Sequence, residues 1–168
     1  LSPAEDLHWR EYSLLLMVGI PLTTPLQAAG EEYLLRGMLS RLVGSYFRNP
    51  VIGWVAATAV SSVVFMRLHL AADVWLNAFY LVFAVVMSWV TWRTGGLEAA
   101  IAIHVANNVV AEVLLPWSDI SGMMDRSAGV GDATILIHVA VITAIGVALT
   151  VIGRRRGLTP EPIPRQTE

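Results

Sequence analysis

Cysteine is absent from the 168 residues, which excludes a thiol nucleophile and any Cys-ligated metal and leaves the redox compartment undetermined. Lysine is absent too, since all eleven basic residues are arginine; we read that as a bias of composition rather than of mechanism. Charge of either sign is scarce at 14% of residues. With a formal net charge of −2, a pI near 6.1 and no basic stripe interleaved with aromatics, the chain is not expected to bind nucleic acid. The strict apolar–polar alternation of a membrane β-barrel is missing. What the chain has in quantity is apolar side chain: 55% hydrophobic residues and a mean hydropathy of +0.62, outside the balance of a soluble domain.

Crossing a hydrocarbon core of about 30 Å takes roughly 20 helical residues. Four stretches meet that length, at 51–68, 74–92, 97–115 and 133–152, and a fifth runs from Tyr12 towards Phe47. The expected fold is therefore an all-α polytopic bundle of about five spans with a polar cavity within the membrane, because helices satisfy their own backbone groups in lipid. Residues 1–11 form an N-terminal segment, 12–152 the membrane domain, and 153–168 a tail that is first basic and then Pro-rich and should be disordered. The chain opens at Leu1 without a methionine or a signal-peptide pattern, and earlier spans are expected to precede it. Pro21 and Pro25 predict a bend or break in the first span before the acidic pair, with the helix restarting near Pro25. Arg41, Arg48 and Asn49-Pro50 mark a polar loop, and Pro116 to Asp132 is the longest connection.

Arginine bias orients the spans. Placing Arg154, Arg155 and Arg156 in the cytoplasm puts Arg93, Arg41 and Arg48 there as well and leaves the acidic 116–132 connection outside. The expected setting is a multi-pass protein of a prokaryotic plasma membrane with a cytoplasmic C-terminus.

An anchor should keep ionisable groups out of its spans, yet Glu31, Glu32, Arg36, His69, His104, Asn107, Asn108, Glu112 and His138 all lie within or at the edges of these. Such residues usually face a bundle interior or a wet cavity. At about 100° per residue, Glu32 and Arg36 lie within about 40° of each other, an (i, i+4) pair with the acid first. Arg36 then neutralises Glu32. Glu31 points elsewhere, without a partner on its own helix, and is placed for proton transfer. His69 follows Phe65 by four residues, and Asn108 follows His104 by four, sharing its helix face.

Glu-Glu-x-x-x-Arg at 31–36, Phe-x-x-x-His at 65–69 and His-x-x-x-Asn at 104–108, in that order on separate spans, resemble the motifs of the CPBP family. These are the CAAX-protease and bacteriocin-processing intramembrane proteases that include Rce1-type prenyl endopeptidases. The resemblance covers residues 22–115, and the lead-in "RTGGLEAAIAIHVANN" also looks like the family's approach to its third motif. It implies that Glu31 activates the attacking water with help from His69, that His104 and Asn108 hold the oxyanion, and that Glu32 and Arg36 support Glu31. The family has been described both as glutamate proteases and as metalloproteases, so Glu31, His69 and His104 form the alternative zinc set with water in the open position. The His-Asn pair reads as two donors on one face, which favours the metal-free mechanism, since Asn is a poor zinc ligand.

The chain departs from the family pattern at Leu35, where Phe often precedes the arginine, and at Arg67, where a small or apolar residue is expected; Arg67 would narrow access or favour an acidic substrate segment. Counted at about 1.5 Å per residue, Glu31 and Asn108 lie roughly 18 and 16 Å from the inner ends and His69 nearer 27 Å, a mismatch that helix tilt or a break after His69 would remove.

Taken singly, each motif has a plainer explanation: an ion-paired helix end for Glu31, Glu32 and Arg36, an interfacial residue for His69, interhelical hydrogen bonding for His104 and Asn108. His138 matches no motif and is expected to be a polar contact between spans. Glu112 is either an interfacial residue or a support one turn beyond Asn108. Other intramembrane protease signatures are absent: there is no His-Glu-x-x-His and no Gly-x-Ser-Gly. "GVGD" at 129–132 lacks a matching second aspartate and reads as a turn before a helix.

The expected partners are the lipid bilayer and a membrane-associated peptide or protein, lipidated or CAAX-like. The rival functions are a non-proteolytic immunity or binding scaffold with the same fold, which would keep its function in a Glu31→Gln protein, and a small proton-coupled transporter, which would show uptake in vesicles.

Overall fold

The computed structural model describes residues 7–121 and 132–157. The Pro-rich part of the tail and the first three residues of the "GVGD" stretch lie outside the described residues.

The described chain is all helical. Five helices are long and apolar enough to cross a membrane: α1, Ser13–Ser45; α2, Pro50–Leu68; α3, Val74–Thr94; α4, Glu98–Glu112, which runs on through a 3-10 turn at Leu115–Trp117; and α5, Ile135–Arg155. Their ends have local causes. Asn49 caps α2, its Oδ1 accepting from the N–H groups of Val51 at 2.9 Å and Ile52 at 3.1 Å, with Pro50 in the first turn where no donor is needed. Asp73 caps α3 by accepting from Leu76 N–H at 2.8 Å, and Gly95 ends it in the left-handed region at φ 79°.

Two expectations about α1 are corrected. Pro21 and Pro25 both lie inside an unbroken α-helix, Ser13–Glu32; membrane helices tolerate proline because the freed carbonyls find other partners. The irregularity comes later, as a π-helical segment at Tyr33–Leu39, after which α-helix resumes at Ser40–Ser45. Arg41 therefore sits in a helix rather than in a loop.

Burial is inverted relative to a soluble protein. Leu15, Leu26 and Val110 are each at least 70% exposed, whereas Glu32, Ser61 and Ser62 are wholly buried. An apolar exterior around a polar interior is what lipid as solvent selects. The apolar core is centred on α3, where Phe83, Ala84, Met87 and Val90 pack with Leu35, Phe65, Ile103 and Ile142. Helix α3 packs on both α2 and α5, and α1 packs on α4.

The α1–α4 contact is a polar seam. Ser13 and Tyr12 donate to the carbonyls of Pro116 and Ser118, each at 2.6 Å. Thr24 donates to Glu112 at 2.6 Å. Thr24, Ala28 and Glu32, four residues apart on α1 and all buried, face the α4 series His104, Asn108 and Glu112. Glu112 thus joins two spans through this bond. His138 is exposed on α5, and the polar contact between spans expected of it does not form among the described residues.

Candidate active site

The seam's innermost contact is the candidate site. Glu32 Oε1 accepts two charge-assisted bonds, from Arg36 Nη1 at 3.0 Å and from His104 Nδ1 at 2.8 Å. All three side chains are almost completely buried, at 0%, 1% and 3% exposure. The predicted Glu32–Arg36 pair is present. It spans the junction between the α-helical and π-helical parts of α1, and the wider π turn carries both Leu35 and Arg36 to the interior. The hydroxyl of Ser40 closes that turn on the Leu35 carbonyl at 2.9 Å. Phe65 lies under the Arg36 guanidinium, 4.8 Å from its ring centre, in the range where a cation is drawn to the π face.

Glu31 differs from Glu32 in just the respects that matter for chemistry. Its side chain is 27% exposed, and its Oε2 stands 3.8 Å from His104 Nε2. Gln27 Nε2 donates to its Oε1 at 3.1 Å, so the expectation of no partner on its own helix is corrected: the partner is the (i, i−4) neighbour. His104 lies between the two carboxylates. An ionised carboxylate only accepts, so the proton in the Glu32–His104 bond is on Nδ1, and Nε2 is the ring atom turned towards Glu31.

Asn108, one turn beyond His104, is half-buried, and its Oδ1 accepts from Asn107 Nδ2 at 3.0 Å. His69 is the residue just past the end of α2. Its Nδ1 donates to the Phe65 carbonyl at 2.8 Å, and its ring stacks on Tyr80 with centroids 3.9 Å apart. Phe65 joins the two histidines, lying 4.5 Å from the His69 ring and 5.7 Å from the His104 ring. Helix α2 runs unbroken over Pro50–Leu68 with His69 as its C-cap, so the end of the helix leaves the depth counted for His69 unchanged. Arg67 is exposed.

Among the described residues, no three His, Cys, Asp or Glu side chains are grouped to hold a metal ion. Glu31, His69 and His104 do not form such a group. A groove of about 550 Å³ opens beside the π segment, lined by Tyr33, Gly37, Met38, Arg41 and Leu97; none of the four candidate catalytic residues lines it. Two features escaped sequence reasoning. One is the Glu32–His104 bond, which depends on how two helices are rotated against each other. The other is Tyr80, whose only signal was an aromatic residue in an apolar run.

The fold and this cluster define a class: a multi-pass helical membrane protein whose interior holds two glutamates, an arginine and histidines from three spans. The chain belongs to the Rce1-like family, described as type II CAAX prenyl endopeptidase Rce1-like, whose sequence profile matches residues 9–110. It is also 30% identical over 100 residues to the uncharacterized protein YyaK of Bacillus subtilis (strain 168), a match covering 56% of this chain and 32% of that protein. The chain thus spans about a third of the length of the curated relative it matches. No solved structure matches it.

Proposed function

We propose that this chain is the core of an intramembrane endopeptidase that hydrolyses a peptide bond in a membrane-associated, lipidated or CAAX-like substrate, with its arginine-rich end in the cytoplasm. The observation that carries this reading is the asymmetry of the two glutamates about one imidazole. Glu32 is sealed and doubly bonded, while Glu31 is 27% exposed and 3.8 Å from the same ring.

In the proposed reaction, Glu31 takes a proton from water, assisted by His69, as the water oxygen bonds to the scissile carbonyl carbon. The resulting oxyanion accepts hydrogen bonds from Asn108 Nδ2–H and from Nε2–H of a doubly protonated His104. The Nδ1–H to Glu32 bond supports that cationic ring, because Glu32 offers a fixed carboxylate in a low-dielectric setting. The C–N bond then breaks, the amine takes the proton held by Glu31, and the carboxylate is restored. Arg36 keeps Glu32 ionised and in place throughout.

The test is cleavage of a prenylated CAAX peptide by the purified chain in proteoliposomes. Wild type should cleave it, and Asn108→Leu should lower kcat by about 10²–10³-fold, the usual effect of losing one oxyanion donor. Absence of cleavage with proton-coupled uptake into the same vesicles would replace the endopeptidase with a transporter.

A further inference from the structure

We propose that Gln27 is a positioning residue for Glu31, holding its carboxylate so that Oε2 is turned to His104 and takes the water proton. This rests on the role given to Glu31 in the proposed reaction.

Gln27 and Glu31 stand four residues apart on α1, within about 40° of each other at about 100° per residue. Gln27 Nε2 donates to Glu31 Oε1 at 3.1 Å. The other oxygen, Oε2, stands 3.8 Å from His104 Nε2, beyond hydrogen-bond length. Among the described residues, the Gln27 amide is therefore the one group that hydrogen-bonds the Glu31 carboxylate. A glutamate side chain has several rotatable bonds, and a base must be held close to its working position if it is to act. With Oε1 taken by the amide, Oε2 points to the ring that, with Asn108, holds the oxyanion in the proposed reaction. Oε2 takes the proton from water and gives it up to the amine, while Gln27 exchanges no proton.

The setting of Gln27 calls for such a role. It is exposed on a membrane-spanning helix, where a carboxamide facing lipid is costly unless it is bonded. Thr23, one turn earlier on the same face and also exposed, meets that need within its own helix by donating to the Gly19 carbonyl at 2.9 Å. Gln27 instead directs its donor to a carboxylate that the proposed reaction uses. A residue that only faced lipid at this position would be replaceable by leucine without consequence for Glu31.

The experiment uses the full chain in proteoliposomes, with ¹³Cδ-labelled glutamate and side-chain ¹⁵N-labelled glutamine. Glutamine occurs at positions 27 and 166 alone, so the Gln27 signal is assigned by its loss in Gln27→Leu, and the Glu31 carboxyl by its loss in Glu31→Gln. Solid-state NMR should show a dipolar coupling between the two in wild type and a shifted Glu31 carboxyl signal in Gln27→Leu. On the prenylated peptide, Gln27→Leu should lower kcat by about 10–100-fold, the scale of a misplaced catalytic group, with KM changed by less than about twofold. In a Glu31→Gln background the same substitution should lower the residual rate by less than about twofold, because no base is left to orient. Wild-type kcat in Gln27→Leu, or an equal fold-loss in both backgrounds, would overturn the proposal, as would absence of the coupling in wild type. If Gln27→Leu does not fold, Gln27→Met supplies the variant without a donor. The coupling and the carboxyl signal are read without substrate, so a wild-type chain that cleaves nothing but keeps a Gln27-dependent Glu31 signal would sink the endopeptidase and leave the positioning of the carboxylate intact.

Discussion

Replacing Arg36 with alanine removes the one permanent cation from a buried cluster. Breaking a buried ion pair from one side costs about 3–5 kcal/mol, because the remaining charge is stranded. Two features of this site adjust that figure. His104 Nδ1 still bonds Glu32 Oε1 at 2.8 Å, so the carboxylate keeps one donor. Arg36 itself is imperfectly satisfied, with Nε and Nη2 lacking hydrogen-bond partners among the described residues, so its removal relieves some desolvation. Against these, Phe65 loses the guanidinium above its ring, worth about 0.5–2 kcal/mol. The expected loss is about 3 kcal/mol, at the lower end of the range for a stranded buried partner. Pairing the change with Glu32→Gln and using Arg36→Met keeps an acceptor for His104 while leaving no stranded charge, and should recover about 2 kcal/mol. Denaturant titration in detergent micelles, followed by tryptophan fluorescence, measures both. An Arg36→Ala protein within about 0.5 kcal/mol of wild type, or a double variant less stable than the single one, would refute the account of this cluster.

Gly53→Ala should destabilise the chain by about 1–3 kcal/mol, because the new Cβ would stand 2.9 Å from the Gly44 carbonyl where α2 crosses the end of α1. Gly19→Ala, with nothing within 4 Å, is the control and should be neutral or stabilising by up to about 1 kcal/mol; the same unfolding titration reads both. Thr24→Val should loosen the outer part of the seam by stripping Glu112 of its 2.6 Å donor, raising amide exchange in α4 while leaving α3 and α5 protected as in wild type. Asp132, outside the spans, is held below the usual carboxylate range by the Thr134 hydroxyl and then by the Thr134 N–H. Its contribution is therefore complete above the unfolded value of about 3.9 and is lost as pH falls through the lower folded value. Carboxyl NMR titration should show its midpoint rising in Thr134→Val.

The five spans were legible because membrane crossing is a matter of length and apolarity, and both are written along one chain; 74–92 and 51–68 fall within two residues of α3 and α2. The Glu32–Arg36 pair was legible for a similar reason, being a contact inside one helix. No break forms at Pro25, because a missing donor acts differently in lipid than in water, where an open carbonyl bends the helix towards solvent. The π segment at Tyr33–Leu39 has no residue signature: it is one extra residue per turn, accommodated by packing and by Ser40. Spacing along α4 put His104 and Asn108 on one face but could not say which glutamate that face meets, since this depends on the rotation of α4 against α1. Nor could it show Tyr80 against His69, where two helices and a turn must be placed before an aromatic in an apolar run becomes a neighbour of the site.

The central claim, that Glu31 is the carboxylate that activates water, is tested most directly by Glu31→Gln assayed for cleavage of the prenylated peptide. The amide keeps the size of the side chain and an oxygen for the Gln27 bond, and the Glu32 contacts to Arg36 and His104 are untouched, so the protein should unfold at the wild-type denaturant concentration. Its kcat should fall by at least about 10²-fold, the lower bound for removing a general base. Wild-type cleavage by a correctly folded Glu31→Gln protein would contradict the account.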